Sequence, residues 1–115
     1  MSERQNQLYL TDILESGLAI QSYVAAVEFD IFCKDRMRYS AVIREFEIIG
    51  EAVAKLPEEI KTKYPDVPWR EIKDFRNMLI HEYFGVDLKI VWHTIFQDLP
   101  LLLKACKSAL AEISR

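Results

Sequence analysis

Glycine and proline are scarce in this 115-residue chain, which has three glycines and four prolines. Their scarcity favours a few long helices over many short strands, because turns draw on these two residues. No apolar run approaches the roughly 18 residues that a membrane-spanning helix needs. The start of the chain is polar and lacks the apolar core of a signal peptide. We therefore expect a helical, cytoplasmic protein with no membrane segment.

Paired cysteines and an excess of basic residues are also missing. Cys33 and Cys106 are far apart and belong to no paired-cysteine motif, so we expect two reduced thiols rather than a disulfide scaffold or a zinc site. The formal net charge of −3 disfavours a protein that coats nucleic acid along a broad basic surface. If the chain acts on RNA, its cations should be gathered in one cleft.

Apolar residues at helical spacing predict an all-α, up-and-down bundle of four main helices that forms a single domain, residues 1–115. The prediction also includes a bend after the first helix and a short additional helix, Glu58–Lys63, between the second and third main helices. The four main helices are expected at about Gln5–Val24, Asp35–Lys55, Pro68–Tyr83 and Asp87–Ile113.

Three residues of special backbone chemistry refine these helices. Pro100 should kink or break the last one, because proline lacks the amide hydrogen and clashes with the preceding turn. Gly85 can end the third helix in the left-handed conformation that glycine tolerates. Gly50 lies inside the second helix, where glycine costs about 1 kcal/mol relative to alanine. A close helix–helix approach would explain it, and the alternative is a glycine that the helix merely tolerates.

The candidate chemistry lies near the end of the third predicted helix, in Arg76, Asn77, His81 and Tyr83. At about 100° per residue, Asn77 and His81 share one stripe and Arg76 and Tyr83 share another. An imidazole suits proton transfer, since its unperturbed pKa is about 6.5. A guanidinium stays charged and donates two parallel hydrogen bonds, which suits a phosphorane. Asn77 can hold the imidazole or a phosphate oxygen. The set fits RNA cleavage that needs no metal or cofactor.

RNA cleavage needs a base and an acid, but one chain supplies only one such set. The other histidine, His93, stands alone in the last helix and is interpreted as a surface or core-edge residue. A two-fold homodimer would bring a second copy of the motif to face the first. Spacing alone also fits an ordinary solvated helix end in a helical interaction domain.

The pattern of the whole chain resembles the HepT-like ribonuclease toxins of the HEPN superfamily. The family motif, an arginine, four residues, a histidine, one residue and a tyrosine, is intact as Arg76, His81 and Tyr83. An acid, Asp74, stands where the family often has a small residue, and it is placed to pair with Arg76 or Arg70. The flanking segments that also fit are 41–44, 48–52, 67–69, 84–87, 91–92 and 98–100.

This resemblance implies a homodimeric, metal-independent endoribonuclease toxin in which Arg76 and His81 are catalytic and Asn77 supports them. It also implies a partner, the MNT-type nucleotidyltransferase antitoxin of a type VII toxin–antitoxin module, which attaches AMP to Tyr83. The bulky, anionic adenylate would then exclude RNA from the cleft. The alternative is a non-catalytic HEPN module, which binds a nucleotide or scaffolds the nucleotidyltransferase through the same Arg76 and His81.

Overall fold

The computed structural model describes residues 2–82 and 85–114, and in these ranges the backbone forms seven α-helices and no strand. The all-α fold that the sequence predicts is therefore confirmed for this part of the chain. Four main helical segments are present, the last of them divided in two. In chain order the helices are α1 (Glu3–Val24), α2 (Phe29–Lys34), α3 (Arg36–Lys55), α4 (Glu58–Lys63), α5 (Trp69–His81), α6 (Leu88–Gln97) and α7 (Leu99–Ile113).

The centre of the bundle is the pair α1 and α3. Helix α7 also packs on α1, and α5 packs on α3. Their contact faces follow the apolar spacing of the sequence, and burial of each large side chain contributes about 1.5–3 kcal/mol. The largest fully buried side chains include Leu10, Ile13, Ile20, Val42, Ile49, Leu99 and Leu102. Helix α5 is thus fixed along one flank of α3.

Polar caps fix where three of the helices begin. Ser2 and Gln5 form a capping box at α1, in which each side chain accepts a hydrogen bond from the other residue's backbone amide. The Asp35 carboxylate accepts a backbone amide hydrogen bond at the start of α3. Asp87 does the same at α6, from the amide of Lys89 at 2.9 Å. The predicted cap at Asp87 is confirmed.

Pro100 divides the last helical segment, as predicted. Helix α6 ends at Gln97 and α7 begins at Leu99, so that Pro100 lies in the first turn of the new helix. A proline at this position removes no helical hydrogen bond, because the first amides of a helix have no partner within the helix. Asp98 occupies the cap position between the two helices, although its side chain makes no capping hydrogen bond.

Helix α5 ends at His81, two residues before the end predicted at Tyr83. The Glu82 amide donates to the Met78 carbonyl at 2.8 Å and closes the last turn. The prediction of a left-handed Gly85 is wrong, since no described glycine has a positive φ. Its amide instead donates to the Glu82 carbonyl at 3.0 Å. Tyr83 and Phe84 lie outside the described residues.

The link between α4 and α5 is fixed by one indole. The Trp69 Nε1–H donates to the carbonyl of Lys61 at 3.1 Å and to that of Tyr64 at 3.0 Å. These bonds attach the start of α5 to the end of α4, a helix in which no residue is buried. Trp69 therefore fixes the position of Lys61 and of the end of α4 relative to α5.

The two cysteines are free thiols in the structure. Cys106 is buried in α7, and this burial raises the pKa of its thiol to about 12. At neutral pH it remains a neutral, unreactive side chain of the core. None of the described helices combines the length and the apolarity that crossing a bilayer requires.

A strained turn forms the predicted bend between α1 and α2. Ala26 has a φ of 60°, in the left-handed region that costs a non-glycine residue about 1–2 kcal/mol. Glycine removes this strain but loses more chain entropy on folding, by roughly 0.5–1 kcal/mol. We therefore expect Ala26→Gly to raise the free energy of unfolding by up to about 1 kcal/mol, measured by urea titration.

The neighbouring residue supplies the control for this prediction. Ala25 has a φ of −59°, which any residue adopts without strain. Ala25→Gly should therefore destabilise the protein through chain entropy alone. Equal effects of the two substitutions would contradict the assignment of strain to Ala26.

Candidate active site

Three predicted site residues, Arg76, Asn77 and His81, lie on α5. The buried face of this helix packs on α3, where the Phe75 ring meets Phe46 edge-on with 4.9 Å between the centroids. Arg76 borders that face and is half-buried, whereas Asn77 and His81 are exposed. The packing that fixes α5 thus fixes the base of Arg76 and leaves the other two side chains to solvent.

The side-chain stem of Arg76 lies directly against the backbone of α3 at Gly50. A Cβ atom added to Gly50 would stand 2.7 Å from Cγ and Cδ of Arg76 and 2.8 Å from its Cβ. Carbon atoms do not pack so closely, so only glycine fits at this position. The close helix–helix approach predicted at Gly50 is confirmed, and it anchors Arg76.

The guanidinium of Arg76 is not neutralised by a carboxylate. Among the residues that the structure describes, Arg76 belongs to no ion pair. An anchored stem with an unpaired head is suited to bind a phosphate group, because the guanidinium can donate two parallel hydrogen bonds to its oxygens.

His81 is the last residue of α5, and Asn77 lies one turn before it. Residues four apart are neighbours on a helix surface, so the Asn77 amide can reach the imidazole. The two therefore share one stripe, as predicted. The predicted stripe of Arg76 and Tyr83 includes a residue outside the described ranges, and it stays a prediction.

Arg76 and His81 leave the helix in different directions. A separation of five residues corresponds to about 140° around the helix and about 7.5 Å along its axis. The intervening surface includes Ile80, a large apolar side chain that is 48% exposed. One chain therefore presents its guanidinium and its imidazole on well-separated sides of one helix rather than across a closed pocket.

A cavity of about 570 Å³ adjoins Arg76, between α3, α4 and α5. Four of its lining residues are cations and one is a carboxylate, in a chain whose formal net charge is −3. None of the four cations belongs to an ion pair within the described ranges. The sequence analysis expected cations gathered in one cleft if the chain acts on RNA, and the structure contains such a cleft. Its charged residues are Glu58, Lys61, Arg70, Lys73 and Arg76.

The family model for HepT-like ribonucleases matches residues 13–109 of this chain. The chain belongs to the HepT-like ribonuclease family. A protein of Caldanaerobacter subterraneus subsp. tengcongensis, named as a candidate RNase, is 44% identical over 102 residues, which are 89% of this chain and 91% of the relative. A protein of Thermococcus cleftensis, named as a candidate HepT ribonuclease, is 41% identical over 100 residues, 87% of this chain and 91% of the relative. No solved structure matches the chain.

Asp74 of this HepT-like chain does not pair with Arg76 or Arg70 in the described structure, contrary to one expectation from the sequence. For Arg76 the reason is geometric, since residues two apart project about 160° apart around a helix. Arg70 lies one turn before Asp74 and lines the cavity beside Arg76 instead. Asp74 instead lines a separate cavity of about 380 Å³ between α5 and α6, together with His93 and Asp98. The guanidinium of Arg76 is therefore not masked by this acid.

No group of three or more His, Cys, Asp or Glu side chains in the described ranges is arranged to hold a metal ion. The exposed His93 lies on α6, on the side of α5 where Asp74 projects. It lines a different cavity from Arg76, in agreement with its interpretation as a surface residue.

Burial raises the pKa of the Asp98 carboxyl; the charge of His93 opposes this shift and that of Glu71 adds to it. The folded protein thus holds the Asp98 proton more tightly than the unfolded chain does. The stability that this carboxyl contributes is complete below its unfolded pKa, near 3.8, and is lost as pH rises through the folded value.

We expect Asp98→Asn to gain stability relative to the parent as pH rises from about 3.5 to 7, because asparagine needs no such proton. Asparagine also suits the cap position, and no side-chain capping bond is lost. Urea unfolding at both pH values measures the difference. The exposed Asp66, changed to asparagine, is the control. A stability difference for Asp98→Asn that stays constant or shrinks with pH would contradict the prediction.

The sequence reasoning singled out neither Lys61 nor Lys73 as a site residue. A signal for the α5 cations was present, because Arg70, Lys73 and Arg76 recur at three-residue spacing. No comparable signal pointed to Lys61, which reaches the same cavity from α4 only through the fold.

Proposed function

We propose that this HepT-like protein is a metal-independent endoribonuclease with Arg76 and His81 as its catalytic pair. The observation that carries the proposal is the Arg76 stem anchored on Gly50, with an unpaired guanidinium and His81 further along the same helix. Membership of a ribonuclease family supports the substrate class. We further propose that residues 1–115 act as one HEPN-like domain in the cytoplasm, where cellular RNA is available.

The proposed reaction is an attack of a ribose 2′-oxygen on the adjacent phosphorus. A base removes the 2′-hydroxyl proton, the new P–O bond closes a 2′,3′-cyclic phosphate, and the bond to the 5′-oxygen breaks. An acid protonates that leaving oxygen. His81 supplies proton transfer, Arg76 neutralises the charge that develops on the phosphoryl oxygens, and Asn77 orients the imidazole or the phosphate.

We propose a two-fold homodimer as the active form. Two observations support it: Arg76 and His81 leave α5 about 140° apart, and the large apolar side chain of Ile80 is 48% exposed between them. A second copy would cover Ile80 and would supply the second proton-transfer group. Analytical ultracentrifugation should give twice the mass of one chain, and a purely monomeric, active protein would contradict this proposal.

The decisive experiment incubates the purified protein with RNA in the presence of EDTA. Cleavage should proceed and leave 2′,3′-cyclic phosphate and 5′-hydroxyl ends, which mass spectrometry identifies. RNA bound but never cut, with or without added metals, would favour the alternative of a non-catalytic nucleotide-binding or scaffold module. The basic cavity beside Arg76 would serve that function equally well.

We also propose that the protein is the toxin of a type VII toxin–antitoxin module, neutralised by an MNT-type nucleotidyltransferase that attaches AMP to Tyr83. The support is the motif spacing, which puts Tyr83 two residues after His81. Incubation of the protein with such an enzyme and ATP should add the mass of AMP to a peptide containing Tyr83 and should abolish RNA cleavage. Tyr83→Phe should remain unmodified and escape this inhibition.

A further inference from the structure

The cavity between α3, α4 and α5 has a composition that suits single-stranded nucleic acid. Its volume of about 570 Å³ falls in the range of ligand-binding pockets. Unpaired cations line it beside an aromatic ring, Trp69. Grooves that bind single strands combine these features, since cations follow the phosphates and aromatic rings stack on bases.

The cations of the cavity are arranged from two sides. Arg70, Lys73 and Arg76 follow one another along α5 at intervals of about 4.5 Å along the axis. Lys61 faces them from α4, and the two hydrogen bonds of the Trp69 indole hold α4 in that place. A single strand of nucleic acid that lies along α5 would thus have cationic side chains on both sides.

Arg76 belongs both to this cavity and to the candidate catalytic pair. A phosphate held by Arg76 therefore lies at one end of the cavity, and the chain that continues from it can follow α5 towards Arg70. The local excess of positive charge in a protein of net charge −3 concentrates an anionic ligand at this one place.

We infer that this cavity binds the segment of single-stranded RNA next to the scissile phosphate, with Lys61 and Lys73 contacting its backbone phosphates. The inference rests on the proposed ribonuclease function and adds to it the path of the substrate. Lys61 and Lys73 are positioning residues, because they hold RNA in register without touching the reacting atoms.

The test measures the binding of a fluorescent, single-stranded 2′-O-methyl RNA, which cannot be cut through its 2′-oxygen. The Lys61→Gln/Lys73→Gln double variant should bind it about tenfold or more weakly. Loss of two phosphate contacts should also flatten the slope of log affinity against log salt by about 1.4, measured between about 50 and 200 mM salt. Neither lysine belongs to a described ion pair, so the double variant should fold normally.

The control is the Lys104→Gln/Lys107→Gln double variant, which removes the same charge from exposed positions on α7. It should bind the RNA as the parent does. An unchanged affinity and salt slope in the Lys61/Lys73 variant, or an equal loss in both variants, would overturn the inference. Because the probe cannot be cleaved, this result is independent of whether the parent cuts ordinary RNA, which tests the proposed function separately.

Discussion

Replacement of His81 by alanine should lower the rate of RNA cleavage by about 10²- to 10⁴-fold, the range that a positioned general acid or base contributes. Among the side chains of the motif, the imidazole is the one suited to accept and donate a proton during cleavage. His81 is exposed at the end of α5, so its truncation leaves no cavity in the core and removes no described helix contact. Single-turnover cleavage of a fluorogenic RNA gives the rate, and circular dichroism confirms the fold.

The chain supplies a matched control for this experiment. His93 is also exposed on a helix, and it lines a different cavity from the one at Arg76. His93→Ala should cleave RNA at the rate of the parent. If the His81 variant were as active as the parent, or if both histidine variants lost activity equally, the assignment of His81 would be wrong.

Gly50→Ala should disable the site by displacing Arg76, although Gly50 itself supplies no functional group. The added methyl group would lie 2.7–2.8 Å from three carbons of the Arg76 stem, so either Arg76 or the separation of α3 and α5 must change. We expect the cleavage rate to fall by about tenfold or more, since displacement of a catalytic group by about 1 Å can lower a rate 10²-fold. The rate is measured per folded molecule.

The net effect of this substitution on the free energy of unfolding should be about 0–2 kcal/mol. Overpacking costs about 1–3 kcal/mol, but alanine is favoured over glycine in a helix by about 1 kcal/mol. Gly17→Ala is the control, because its methyl group would collide with the Leu103 side chain, between α1 and α7. That variant should lose stability and keep the parent's cleavage rate. A Gly50→Ala protein with full activity would contradict the anchoring role of Gly50.

Much of the fold was predictable because each helix carries its own information. Apolar spacing placed the long helices, and the chemistry of Pro100 and Asp87 marked two of their boundaries correctly. The end of α5 was misjudged because Gly85 indicates a nearby turn without fixing its hydrogen bonds. The chain closes the helix earlier, through the amide of Glu82.

The candidate site was predictable only as far as one helix extends. Arg76, Asn77 and His81 could be placed because their spacing along α5 determines their faces. The sequence indicated that Gly50 contacts another helix, but the identity of that contact, the Arg76 stem, depends on how α3 and α5 cross. The convergence of Lys61 with the cations of α5 likewise depends on tertiary packing, which hydrophobic periodicity does not encode.

The hydrogen bonds of the Trp69 indole have a mechanical consequence. On one side of the cavity, Arg76 is wedged against a glycine and its helix is bound to the core by buried side chains. On the other side, none of the six residues of α4 is buried. The helix is attached by the indole hydrogen bonds, by the partly buried Ile60 and by the exposed ion pair of Lys63 with Glu112. The cavity thus has one rigid wall and one compliant wall. We therefore expect RNA strands of different width to displace α4 rather than Arg76, so that the position at which Arg76 binds a phosphate stays constant.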